Sequence, residues 1–125
     1  MGSVSGPFKT FMDRSSAAWG TTRWKDKLAG GFTTGGGLSG DKLNTLTTMA
    51  IFAAQHSMIW VPTAADPEGA EPEHVNRLGS YLGVMAQSGN APPDQTPPEG
   101  DRRFAELFGS RIARLAKALG PALTA

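Results

Sequence analysis

The chain predicts an α/β fold in which parallel strands alternate with helices, and three observations carry that prediction. A short apolar run over residues 28–34 stops at a glycine-rich loop, 35–40. A helix-patterned stretch follows the loop. A second apolar run, 58–61, follows the helix and is ended by Pro62. Strand, loop, helix and strand in this space make a right-handed crossover, the unit of a doubly wound parallel sheet. A glycine-rich turn at the carboxyl end of a strand, opening into a helix, is also where such sheets bind anionic or planar cofactors.

Each element has its own signal. Ser5 is placed to cap a first helix, with Pro7 in a first turn where its missing N–H costs nothing. Phe8, Phe11, Met12 and Ala18/Trp19 recur at helical spacing, which predicts one helix ending near Trp19-Gly20. A basic connection over 21–27 leads to the strand over 28–34. Its two internal glycines, Gly30 and Gly31, predict close approach by a neighbouring element. Asp41 suits the N-terminus of the middle helix, with Leu43, Leu46, Ala50 and Ala53/Ala54 as its buried face. Residues 63–100 are rich in Pro, Gly and acids, with one less polar island over 78–86. Asp101 starts a last helix with Phe104, Leu107/Phe108, Ile112, Leu115 and Leu119 on one face, closed by Gly120 and Pro121. That gives three helices and two strands. Two parallel strands are too few for a stable sheet, so the chain reads as part of a doubly wound domain.

Composition excludes several functions. The chain has 125 residues and a net charge of +1, which gives one domain at most and no nucleic-acid footprint. The charge is uneven: residues 61–100 hold one Arg against six acids, whereas 101–125 hold five Arg/Lys against two. The middle stretch therefore reads as a solvated acidic insertion, a connection long enough to be functional or mobile. With no cysteine there is no disulfide, thiolate metal site or thiol nucleophile. Met1 is not followed by a basic and then apolar stretch, so no signal peptide is expected. Gly6 stands where a myristoylation motif needs Ser or Thr. The longest apolar run, 49–54, is too short to cross a bilayer. A soluble cytoplasmic protein that binds neither membrane nor nucleic acid is expected. A Walker-type phosphate loop fails, because Asp41 stands where its lysine is needed and Lys42 comes one residue late.

The segments GSVSGPFKTFMDRSSAAW, FTTGGGLSGDK and QHSMIWVP, in that order, resemble flavodoxin-like NAD(P)H:quinone oxidoreductases, the FMN-dependent family first described as tryptophan-repressor-binding proteins. The resemblance covers residues 1 to 62 well, the final helix loosely and 63–100 poorly. It implies a flavodoxin-like doubly wound sheet of five parallel strands, lacking its N-terminal strands in this chain. A strand and a phosphate loop for FMN open such domains. Here Met1-Gly2-Ser3 resembles the loop after the third strand, which makes Met1 an internal methionine and the chain the C-terminal part of one domain, with 63–100 as an insertion or loop.

The resemblance assigns the cofactor, FMN, with NAD(P)H as electron donor and a quinone-like small molecule as acceptor. Gly2, Ser3 and Val4 match one loop beside the isoalloxazine, although as a free N-terminus they are expected to be disordered. Thr34, Gly35, Gly36, Gly37, Leu38 and Gly40 match the other, where glycines let the backbone approach the ring. A flexible strand-to-helix turn is the alternative. His56 matches a flavin-site histidine and Trp19 a substrate-site aromatic. Both fall at the sheet edge opposite their own glycine loop, so they are expected to serve a neighbouring subunit in a homodimer or homotetramer. A helix-end or packing histidine and a core tryptophan are their alternatives.

Two departures mark a divergent subgroup: Gly40-Asp41-Lys42 stands for the usual Gly-Gln-Glu, and Gln55-His56-Ser57-Met58 for His-His-Gly-Met. Tyr81 is a candidate aromatic in the insertion. No catalytic acid or base and no metal site is expected, as suits a reaction in which the cofactor does the chemistry. The rival expectation is a non-catalytic truncated product that keeps an oligomerisation surface and cannot hold FMN.

Overall fold

Ser5 caps the first helix as its position before Pro7 requires. Its hydroxyl accepts from the Phe8 N–H at 3.4 Å, and Pro7 sits in the first turn of α1 (Gly6–Arg14). The structure is a computed structural model and describes residues 1–123. The single helix expected to end near Gly20 is two, α1 and α2 (Ser16–Gly20), with a break at Ser15. There the Ser15 hydroxyl turns back on the Met12 carbonyl at 2.6 Å, the local competition by which serine interrupts a helical ladder.

The expected strand over 28–34 is present as β1 (Leu28–Ala29) and β2 (Phe32–Gly35). β1 pairs in parallel with β3 (Ile59–Trp60), and β2 in parallel with β4 (Val84–Gln87). Main-chain geometry joins these pairs end to end. The carbonyls of Lys27, Ala29, Gly31 and Gly35 accept from Ile59, Val61, Val84 and Ser88 at 2.8–3.0 Å. That unbroken alternation makes residues 27–35 one strand. The partner offset steps from 31 residues at Leu28–Ile59 to 52 at Phe32–Val84, so the facing strand is split and 21 residues are looped out of it. The stretch 63–100 thus contains a strand, at the end of the less polar island. By the same alternation, the N–H and C=O groups of Leu28, Gly30, Phe32 and Thr34 lie along the other edge, which has no paired strand among the described residues.

The glycine pair inside this strand meets both helical layers. A Cβ on Gly30 would lie 2.7 Å from Ile112 and Phe108 of α4 (Glu99–Leu123), and one on Gly31 would lie 2.8 Å from Trp60 and 3.0 Å from Met49 of α3 (Lys42–Gln55). The two helices therefore cover opposite faces, as doubly wound packing demands. In α3 the buried phase differs from the expected one. Leu43 and Ala54 face solvent, and the stripe runs Lys42, Leu46, Met49, Ala53, His56. In α4, Phe104 and Phe108 are buried, whereas Leu107 and Leu119 are exposed. Gly120 and Pro121 do not close that helix. Pro121 lies within it, near enough to the end that its missing N–H removes one ladder donor only.

The insertion is organised rather than merely solvated. Val75 joins Val61, Val84, Phe104 and Phe108 in the core, while Asp66, Glu68, Glu71 and Glu73 are exposed. Asn76, buried beside Val75, donates to the Ala65 carbonyl at 2.7 Å and accepts from the Ser80 N–H at 2.7 Å, closing the loop on itself. At its base, Thr63 N–H donates to the Tyr81 carbonyl at 3.0 Å, and Trp60 Nε1 to that of Leu82 at 2.8 Å. These bonds hold the two halves of the split strand in line.

Candidate functional site

The N-terminal segment and the glycine loop meet across the start of α3. Asn44 donates to the Gly2 carbonyl at 2.6 Å, and the Thr48 and Ser3 hydroxyls are 3.2 Å apart. The end expected to be disordered is thus tied to the helix. Gly2, Ser3 and Val4 on one side, and Thr34, Gly35, Gly36, Gly37 and Gly40 on the other, line one cleft of about 730 Å³. Phe8, Phe32 and Met49 give it apolar walls. Gly40 turns into α3 with a φ of +55°, a conformation that favours glycine. Leu38 departs from the expected set: its side chain is 58% exposed at the loop tip and does not line the cleft.

Lys42 is the residue that sequence reasoning missed as part of the site. It is 5% exposed, lines the cleft and donates to the Gly37 carbonyl, and also to those of Ser39 (3.3 Å) and Leu38 (3.5 Å). Burial lowers the affinity of its amine for a proton below the ordinary lysine value; Asp101 opposes that shift and Arg77 adds to it. Its helical phase with Leu46 and Ala53 was the available signal. Among the described residues, the N–H groups of Gly37, Leu38, Ser39 and Gly40 have no protein acceptor. A cleft with apolar walls and free N–H donors on two of its lining glycines, Gly37 and Gly40, suits a planar ring with a carbonyl-bearing edge.

His56 and Trp19 lie elsewhere. They share a second hollow of about 260 Å³ at the far end of α3, with Gln55 and Ser57. A 14-residue helix is about 21 Å long, so neither side chain reaches the glycine loop of its own chain. Trp19 is 60% exposed, which removes the core alternative. His56 is buried, with ring centroids 4.3 Å from Trp24 and 4.8 Å from Phe52. The Ser15 hydroxyl has one hydrogen. With that hydrogen on the Met12 carbonyl, Ser15 Oγ accepts from His56 Nε2 at 2.8 Å, and Nδ1 is buried with no protein partner among the described residues. Tyr81 lines neither hollow; its hydroxyl donates to Asp66 at 3.2 Å. Among the described residues no group of three or more His, Asp or Glu side chains could hold a metal, and no helix is long and apolar enough to cross a membrane.

Residues 1–85, which carry both cleft walls and the second hollow, match the family model of NADPH-dependent FMN reductases. The chain belongs to that family. A flavodoxin, FldP, of Pseudomonas aeruginosa is 37% identical over 122 residues, covering 95% of this chain and 66% of the relative. An NAD(P)H dehydrogenase (quinone) of Archaeoglobus fulgidus is 31% identical over 119 residues, covering 94% of this chain and 55% of the relative. The crystal structure of a flavodoxin, WrbA-like protein from Agrobacterium tumefaciens matches with a TM-score of 0.74 at 36% identity, over 94% of this chain and 60% of that one. The flavodoxin-like fold is thereby shown, and the chain spans 55–66% of the curated relatives' length. FMN is the group that the description of this family names. The glycine-loop cleft fits the ring of that cofactor.

Proposed function

We propose that this chain holds the isoalloxazine ring in an FMN-dependent oxidoreductase that moves electrons from NAD(P)H to a quinone-like acceptor. The free N–H groups of Gly37 and Gly40, two residues that line the apolar cleft, are the observation that carries it. When bound, FMN supplies the hydride and electron chemistry. The chain's residues then have three tasks. The loop donates hydrogen bonds to the ring edge, Phe32 and Met49 keep water from the ring face, and Gly2–Val4 close the opposite side. That division agrees with a site that needs no acid or base of its own.

The acceptor site lies between subunits on this proposal. Trp19 sits exposed and far from its own cleft, which supports a homodimer or homotetramer in which it reaches a neighbour's ring, whereas His56, buried among Ser15, Trp24 and Phe52, fits the packing alternative. A monomeric variant with full activity counts against that arrangement. The cytoplasm is the proposed compartment.

A second reading, a non-catalytic product with an assembly surface, is favoured by the unpaired edge of 27–35 and by Phe32, which is 75% exposed. Flavin titration separates the two. The cleft contacts assigned here are to the ring, so the chain is expected to bind FMN and riboflavin with equal affinity, followed by flavin fluorescence. Binding of neither, by this chain or by one extended upstream, overturns the proposal.

A further inference from the structure

Four consecutive carbonyls of the glycine loop are held from one side. Gln87 Nε2 donates to the Gly36 carbonyl at 3.0 Å, and the Lys42 ammonium takes those of Gly37, Leu38 and Ser39. In a trans peptide the C=O of one residue and the N–H of the next point in opposite directions. Drawing these carbonyls inward therefore turns the N–H groups of Gly37, Leu38, Ser39 and Gly40 outward. Those are the groups without a protein acceptor. A glycine-rich loop left free loses backbone entropy when a ligand orders it. Here much of that ordering precedes the ligand.

The donors are themselves fixed. Gln87 Oε1 accepts from Arg77 Nη2 at 3.1 Å, and Gln87 N–H donates to Asp101 Oδ2 at 2.8 Å. Arg77 grips Asp101 through Nε at 3.0 Å and Nη2 at 3.2 Å, and both side chains are almost fully buried. Lys42 is anchored by its place on the buried stripe of α3, and its Cε stands 3.6 Å from where a Gly35 Cβ would be.

We infer that Lys42, backed by Gln87, is a positioning residue that gathers the loop's carbonyls around its ammonium and so presets the opposing N–H groups for a carbonyl-bearing ring edge. This rests on the flavin proposal for its ligand, but not for the lock itself.

The test is made on the full chain by ¹⁵N relaxation and by flavin titration. Wild-type amides of 36–40 are expected to be as ordered as those of α3, with order parameters near about 0.85, and to fall below about 0.6 in Lys42→Met. FMN and riboflavin affinity should fall by about tenfold, because the ligand must then order part of the loop itself. Lys42→Arg, which keeps charge and donors, should restore both. Unchanged loop order in Lys42→Met overturns the lock, and a looser loop with unchanged affinity overturns its role toward the ring. Should Lys42→Met loosen α3 as well, Gln87→Met decides: disorder confined to the loop supports the lock, and none overturns it. A wild-type chain that binds neither flavin removes the flavin proposal, and loop order alone then judges Lys42.

Discussion

Arg77 and Asp101 make the most consequential pair in the molecule at the scale of single residues. They are 24 positions apart, one in the insertion and one in the first turn of α4, and the bidentate contact between them is buried. Removing one partner leaves the other charge desolvated. Arg77→Met is therefore expected to cost about 3–5 kcal/mol in urea unfolding, and Arg77→Met with Asp101→Leu less than the single change. An additive double mutant argues against a coupled pair. None of this was legible beforehand, because Arg77 is an isolated cation in an acidic stretch with no periodicity to mark it. Lys42 was half legible: its charge placed it on the surface by composition, whereas its phase with Leu46 placed it inside. Phase won because three backbone carbonyls solvate the ammonium in place of water.

At the scale of elements, the glycines show which packing is adjustable. A methyl group at Gly30 meets the ends of Ile112 and Phe108, side chains that can shift. At Gly83 it meets the carbonyl oxygen of Gly31, part of the ladder between the two halves of the sheet. Gly83→Ala is expected to destabilise by about 1–3 kcal/mol and Gly30→Ala by less, measured as thermal or urea midpoints. Equal losses would mean that both layers are equally stiff. The elements themselves were mostly readable. The cap at Ser5, the strand before the glycine loop, the middle helix and the apolar face of α4 follow from local rules. What escaped was long-range. β4 is four residues inside a Pro- and Gly-rich stretch, and only its partner β2, 52 positions earlier, makes it a strand. The contact of Ser15 with His56, 41 residues away, escaped for the same reason.

At the scale of the whole molecule, the split strand divides the sheet into unequal halves. Pairing β1 with β3 closes a span of 31 residues, and pairing β2 with β4 closes one of 52. The extra closure entropy is only about 0.3–0.5 kcal/mol, but it falls wholly on the half that carries the glycine loop. That half also depends on the insertion being folded, since Arg77 of the insertion holds the Gln87 side chain. Cooperativity need not be uniform along such a sheet. Native-state hydrogen exchange should find the Val84 and Ser88 amides opening at lower free energy than those of Ile59 and Val61, and a single shared opening energy would refute this. A molecule built this way keeps its scaffold while the ligand-facing end unzips, so a bound ring would act as the last stitch of the fold.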